Sequence, residues 1–321
     1  MSEKKQKIIV ILGPTASGKS GLAVKLAKKI DGEIISADSR QVYKGMDIGT
    51  GKIIKKEMFG IPHYLLDIKN PKKQFTVMEF KKLAEKKIAE ILKKKKIPII
   101  CGGTGFYINS VVDDIDFPEI KPDKKLRKEL EKKPTEELFK ILKKLNPTRA
   151  KNIDSKNKRR LIRAIEIART QINADKKTQI DADKNKLSPY SVGFGDKQKR
   201  DKRKYEFLEI GIKTDDKKLR KLIHDRLIKR IKRGMIGEVQ KLHESSVSWK
   251  RLDEFGLEYR YVSRYLRSFL SKNEMIEQLE TKIWQFSKRQ KTWFRRNKNI
   301  KWFELKDYKK IEKEIKKFIK L

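Results

Sequence analysis

Three short apolar runs stand out from an otherwise charged chain: Ile8–Leu12, Glu33–Asp38 and Ile97–Cys101. Each ends in small or polar residues. The segments between them are helical in pattern. Leu22, Leu26 and Ile30 recur every fourth position after the first run, and Lys81–Leu92 carries Leu83, Ile88 and Leu92 on one side. Continuous apolar strands joined by helices predict a parallel sheet covered on both faces, the core of an α/β fold. Ligands of such sheets gather at the carboxyl ends of the strands. Here those ends lead into Gly13–Ser20, Asp38–Gln41 and Gly102–Gly105.

Farther along, residues 116–170 turn helical and basic, punctuated by Pro118, Pro122, Pro134 and Pro147. Residues 171–204 are polar, lysine-rich and almost without apolar periodicity, which reads as a mobile loop or linker. Phe207–Ile212 is a further strand, followed by helical patterns near 215–243, 255–270 and 273–296. The expected organisation is a core in two parts, 1–115 and 205–321, interrupted by a mostly helical insertion with a polar loop over 116–204.

Gly13-Pro14-Thr15-Ala16-Ser17-Gly18-Lys19-Ser20 sharpens this picture. It satisfies G-x-x-x-x-G-K-[ST] at every fixed position and lies between a strand and a helix, the context that pattern requires. The backbone amides and the helix N-terminus would cradle a phosphate chain, Lys19 would reach the outer phosphate, and the Ser20 hydroxyl would sit on Mg²⁺. The expected fold is therefore a P-loop NTPase-like α/β sheet. One part is missing. Apolar strands of ATP-hydrolysing P-loop proteins end in an acidic residue that holds Mg²⁺, whereas Ile97–Cys101 ends in cysteine and glycine. An ATPase motor is disfavoured.

Charge adds a partner. The 321 residues hold 83 Lys+Arg against 43 Asp+Glu, a formal net charge of +40. Single lysine runs such as Lys93–Lys96 are solvated helix faces, but the total and the arginine clusters favour nucleic acid. Arg226, Arg230 and Arg233 share one helical face; Arg159, Arg160 and Arg163 form a second cluster. Lys288, Arg289, Arg295 and Arg296 alternate with Trp284, Trp293 and Phe294, a mixture suited to RNA, although such aromatics are more often core. Trp284 is assigned to packing. The one cysteine, Cys101, is a core residue, which excludes a disulfide framework. No signal peptide or spanning segment is present, so a cytoplasmic, membrane-free chain is expected. No heptad seam appears; a monomer without an obligate protein partner is expected.

Asp38 at the end of a strand suits a general base or an Mg²⁺ ligand as well as a helix cap. Gly102-Gly103-Thr104-Gly105 offers close backbone approach to a ligand and one hydroxyl.

Taken in order, Gly13–Ser20, Asp38–Thr50, His63–Asp67, Gly102–Tyr107, Arg160–Glu166 and Lys288–Phe294 resemble the tRNA dimethylallyltransferases over nearly the whole chain. The long Asp38–Thr50 block is the most specific. The resemblance implies Mg²⁺-dependent transfer of a dimethylallyl group from dimethylallyl diphosphate to N6 of the adenosine 3′ to the anticodon, in tRNAs reading codons that begin with U. It implies Asp38 as base, with Thr104, Lys19 and Arg226 also catalytic. Residues Gly13–Ser20 and Arg226 would hold the diphosphate. Asp38, Ser39, Arg40, Gln41, Thr104, Arg159, Arg160, Leu161, Ile162, Arg163, Gly256, Arg260 and Arg289 would meet the tRNA anticodon stem-loop. The stretch Asp253–Arg260 follows the family's Gly-Tyr-Arg segment only loosely, and no zinc module follows the core, as in bacterial members. Three other readings compete: a P-loop kinase of a small molecule or nucleoside, a prenyltransferase of free adenine nucleotides, and a nucleic-acid-binding protein with a vestigial loop.

Overall fold

Ile8, Val10 and Leu12 of the first strand belong to one apolar cluster and Ile9 and Ile11 to another, and all five are buried. A strand covered on both faces belongs inside a sheet, and β1 (Gln6–Leu12) is an inner strand of six. The computed structural model describes residues 5–118, 120–178 and 204–320. The other strands are β2 (Gly32–Ala37), β3 (His63–Tyr64), β4 (Ile97–Gly102), β5 (Tyr205–Lys213) and β6 (Lys301–Glu304), in the order β3-β2-β4-β1-β5-β6. Every pairing is parallel.

Register sets the site. Gly102 stands opposite both Leu12 and Ala37. The loops that leave β1, β2 and β4 therefore emerge side by side at the carboxyl edge, where a strand-order reversal opens a crevice. Helix α1 (Lys19–Ile30) packs on the face that carries Ile9, Ile11, Ile34 and Ile99, together with Ile311 and Ile315 of the C-terminal helix Tyr308–Lys320. The opposite face receives Phe80, Ala84, Ile88 and Ile91 of α3 (Val77–Lys93) and much of the C-terminal helical region.

The sequence reading needs correction in several places. Leu83 and Leu92 are only partly buried; the inner side of α3 is Phe80, Ala84, Ile88 and Ile91. The pattern near 215–243 breaks at Gly234, whose φ of +95° ends one helix, Asp216–Lys232, and starts another, Met235–Glu244. The pattern near 255–270 is the helix Leu257–Leu266; a further helix, Trp249–Phe255, precedes it across Gly256 and has no counterpart in the sequence reading. The helix Lys158–Thr178 extends into the stretch read as a loop from residue 171; the remainder of that reading, 179–203, lies outside the described residues.

By internal contacts the chain divides into two compact units, Met1–Asp114 with Gly195–Leu321, and Ile115–Phe194. The second has its own core of Leu130, Leu138, Leu142, Leu161, Ile162 and Ile165. Beside it Glu166 is buried, its carboxylate accepting from Arg127, Arg163 and the Asp123 amide. Burial alone would raise its pKa; these donors outweigh burial and hold it below the usual 4.5. The ionised form is the one the fold favours. Its contribution is thus present above the unfolded value and lost as pH falls through the lower folded one. Glu166→Ala is expected to cost about 3 kcal/mol, measured as faster amide exchange in the helices Thr135–Leu145 and Lys158–Thr178.

Candidate active site

Gly18 begins α1 with a φ of +80°, and no side chain caps the helix. The first amides of α1 are therefore left for a ligand, at the positive end of the helix. Within the loop, Lys19 Nζ donates to Pro14 O at 3.1 Å. Ser17 Oγ is buried without a hydrogen-bond partner, alone in this among the buried side-chain polar atoms of the described residues. Loss of solvation lowers the pKa of Lys19, and nearby Arg226 adds to this against the opposing pull of Cys101 and Asp38. The same burial pushes the Cys101 thiol up to about 11, so Cys101 is an inert core thiol, as its place in an apolar strand suggested.

Asp38 follows β2 directly. Its Oδ1 accepts from the Arg40 amide at 2.8 Å and the Gln41 amide at 3.3 Å, a local turn of the capping kind. Oδ2 has no donor among the described residues. Thr104 locks the neighbouring loop to this turn: its Oγ1 accepts from Ser39 N at 3.0 Å and its own amide donates to Ala37 O at 3.1 Å. The structure thus brings together Asp38, Ser39 and Thr104, and gives Asp38 the capping turn without using its second oxygen.

Cations line the cavity floor. Arg226 Nη2 donates to Gly51 O at 3.3 Å, and buried Arg230 donates from Nη1 to Gly49 O at 3.1 Å and to Glu258 at 2.9 Å. Desolvation, followed by repulsion from Arg230, brings the Arg226 pKa down to about 10. Arg233 does not join them; it caps the C-terminus of its helix and is exposed. Arg230 was legible only as one of a stripe, because nothing in the sequence says which turn of the helix faces inward. The turn these arginines grip is held from behind by Glu238. That carboxylate accepts from the amides of Asp47, Ile48 and Gly49 and from Tyr259 Oη.

These groups border one cavity of about 320 Å³. Its lining includes Thr15, Lys19 and Ser20 of the phosphate loop, Asp38–Gln41, Gly102–Thr104, Arg226, Arg230, Gly256, Arg260 and Arg289. Lys19, Arg40, Arg226, Arg230, Arg260 and Arg289 bring positive charge to it; the carboxylates in its wall are Asp38 and Glu258. The chemistry it fits is an anion at the loop end beside a carboxylate base.

The glycines at the end of β4 and just after it serve protein neighbours more than a ligand. A Cβ on Gly102 would lie 2.1 Å from Ala37 O, one on Gly103 2.5 Å from Gln290 Nε2, and one on Gly105 2.2 Å from the Trp293 ring. Trp293 Nε1 donates to Asn109 Oδ1 at 2.9 Å, which makes Trp293 a packing residue. Gln290, not singled out from the sequence, is 7% exposed and reaches both loops.

The second arginine cluster lies in the other compact unit. Arg159 and Arg160 are exposed there, and Arg149 is close enough to Arg160 for the two charges to repel. Leu161 and Ile162 are 0% and 3% exposed core residues, so their side chains face packing and not RNA. Arg163 is committed to Glu166 and Ile120 O.

Comparison with known proteins gives this geometry a context. A family model described as IPP transferase matches residues 41–297. The chain belongs to that family. It is 40% identical over 318 residues to tRNA dimethylallyltransferase 1 of Syntrophus aciditrophicus, covering 97% of this chain and 98% of that one. It is 41% identical over 313 residues to tRNA dimethylallyltransferase of Acetivibrio thermocellus, covering 96% and 95%. Among solved structures it matches a full-length tRNA isopentenylpyrophosphate transferase from Bacillus halodurans with a TM-score of 0.70 and 33% identity, over 99% of this chain and 97% of that one. A eukaryotic dimethylallyltransferase acting on tRNA matches with a TM-score of 0.71 and 26% identity, over 90% and 70%. The family read from the motif blocks and the fold class read from the apolar runs are both borne out. As in the sequence reading, no helix among the described residues is long and apolar enough to cross a membrane.

Proposed function

We propose that this member of the IPP transferase family moves the dimethylallyl group of dimethylallyl diphosphate to N6 of an adenosine in tRNA. The acceptor is the adenosine 3′ to the anticodon in tRNAs reading codons that begin with U, and the work is done in the cytoplasm. One observation carries the reading: a single cavity joins an uncapped phosphate loop and the cations Lys19, Arg226 and Arg230 to a carboxylate whose second oxygen has no donor among the described residues. In the reaction the bond between the allylic carbon and the diphosphate oxygen breaks, a bond from that carbon to N6 forms, and N6 loses a proton. Charge builds on the departing diphosphate, where the loop amides, Lys19 and Arg226 stand preorganised to receive it. Asp38 Oδ2 would accept the N6 proton, with Thr104 holding the turn that presents it. The adenine must leave its stack to enter. Arg40, Arg260 and Arg289 at the cavity, and Arg159 and Arg160 of the helical unit, would bind tRNA phosphates, with Gln41 and Gly256 along the tRNA path.

Among the described residues no cluster of three or more His, Cys, Asp or Glu side chains is placed to hold a metal. An ion carried by a diphosphate needs few protein ligands, and Ser20, an exposed residue in the cavity wall, fits that need. Ser20 would hold Mg²⁺, which would neutralise charge on the diphosphate.

The test is mass analysis of unmodified tRNA after incubation with the protein, Mg²⁺ and dimethylallyl diphosphate, without ATP. A gain of one dimethylallyl group on the adenosine beside the anticodon is expected. Phosphate transfer from ATP to a small acceptor, with tRNA unchanged, would establish the kinase reading; prenylation of free adenine nucleotides alone would establish the other.

A further inference from the structure

The helix Lys272–Arg295 buries Ile283, Ser287, Gln290 and Phe294 along one stripe. A glutamine in such a stripe is costly unless both ends of its amide are bonded. Gln290 bonds both, and to distant loops: Oε1 accepts from the Thr15 amide at 2.8 Å, and Nε2 donates to Gly103 O at 2.7 Å. The first partner is in the phosphate loop and the second in the glycine loop that carries Thr104. Gly103 leaves the space for this, since a Cβ there would stand 2.5 Å from Nε2 while its other neighbours lie at 3.5 Å or beyond.

We propose that Gln290 is a positioning residue for the donor: its amide pins the phosphate loop to the glycine loop and so fixes the cradle before diphosphate arrives. The inference rests on the reading of the cavity as a diphosphate site. A cradle held in shape beforehand spends no binding energy on ordering itself. Gln290 touches no reacting atom in this arrangement; it acts through Thr15 and Gly103. The two loops follow β1 and β4, so the same amide also sets the spacing between the diphosphate cradle and Thr104, which orders the Asp38 turn.

The experiment compares wild type, Gln290→Ala, Gly103→Ala and the double variant. Inorganic diphosphate binding is measured by calorimetry without tRNA, and prenyl transfer is resolved into kcat, donor KM and tRNA KM. Gln290→Ala is expected to weaken diphosphate binding about 10-fold, the size of one or two lost hydrogen bonds, to lower kcat, and to leave tRNA KM unchanged. Gly103→Ala displaces the same amide from the other side and should reproduce the loss. In the double variant the added methyl meets only ordinary contacts, Gly13 O at 3.5 Å and Lys19 Cε at 3.6 Å, so the losses should not multiply. Wild-type diphosphate binding and turnover in Gln290→Ala would overturn the inference. So would losses that multiply in the double variant, or a loss confined to thermal stability. Failure of the wild type itself to bind diphosphate would overturn the diphosphate reading and this inference together.

Discussion

Lys19→Met is expected to lower prenyl-transfer turnover about 100- to 1,000-fold, the range for removing one preorganised donor to a developing anion, yet to leave the empty protein no less stable. The two halves of this result have one cause. In the unliganded site the Lys19 ammonium is poorly solvated and donates to a single carbonyl, Pro14 O. Arg226 and Arg230 repel it from the same cavity. A cation in that position is an expense to the empty fold, and methionine keeps the stem's packing without the charge. On the proposed reaction, the same ammonium would face new negative charge as the diphosphate departs and would become strongly favourable. Single-turnover transfer and a thermal melt on the same sample read both effects. Normal turnover would remove Lys19 from the chemistry. A lower melting temperature would mean that the bond to Pro14 holds the empty loop together.

The second large effect is expected from Asp38→Asn, a loss of about 100- to 10,000-fold in kcat, the usual reach of a positioned base. Asparagine keeps an acceptor oxygen for the Arg40 and Gln41 amides, so the turn survives. What disappears is the ability to take the N6 proton. The Kd for tRNA is expected to stay within a factor of a few of wild type, and Asp38→Ala, which also loses the turn, should be the worse variant in stability. If Asp38→Asn turned over at the wild-type rate, the proton would have to leave by another route, and Asp38 would be a turn residue only.

Much of this site could be read in the sequence, for identifiable reasons. The strands before Gly13, Asp38 and Gly102 are buried on both faces, so they appear as unbroken apolar runs, and the parallel topology puts their ends together whatever the side chains are. β3 and β6 escaped notice: the first has two residues, and the second, Lys-Trp-Phe-Glu, is only half-buried with charges at both ends. The arginine stripe was visible, but the choice of Arg226 and Arg230 over Arg233 depends on where Gly234 ends the helix. Leu161 and Ile162 come with the family pattern over Arg159–Arg163, although the structure uses them as core. Gln290 lies inside the Lys288–Phe294 motif block, but nothing local marks it as a link between two loops. A polar residue at a core position announces itself only when its partners are known, and here these lie 275 and 187 residues away.

That separation governs when the enzyme comes into being during synthesis. The phosphate loop emerges from the ribosome first, but the amide that pins it belongs to one of the last helices made. The strand beside it, β5, pairs with the whole of β1 from Gln6 to Leu12 and also comes late. Contacts so distant in sequence close slowly and only once both partners exist. A nascent chain that has completed the β1-to-β4 half therefore carries a recognisable nucleotide-type loop with no fixed shape, next to an unpaired strand edge of the kind that invites aggregation. Shortened products of this gene would present the phosphate-loop motif and have no working site.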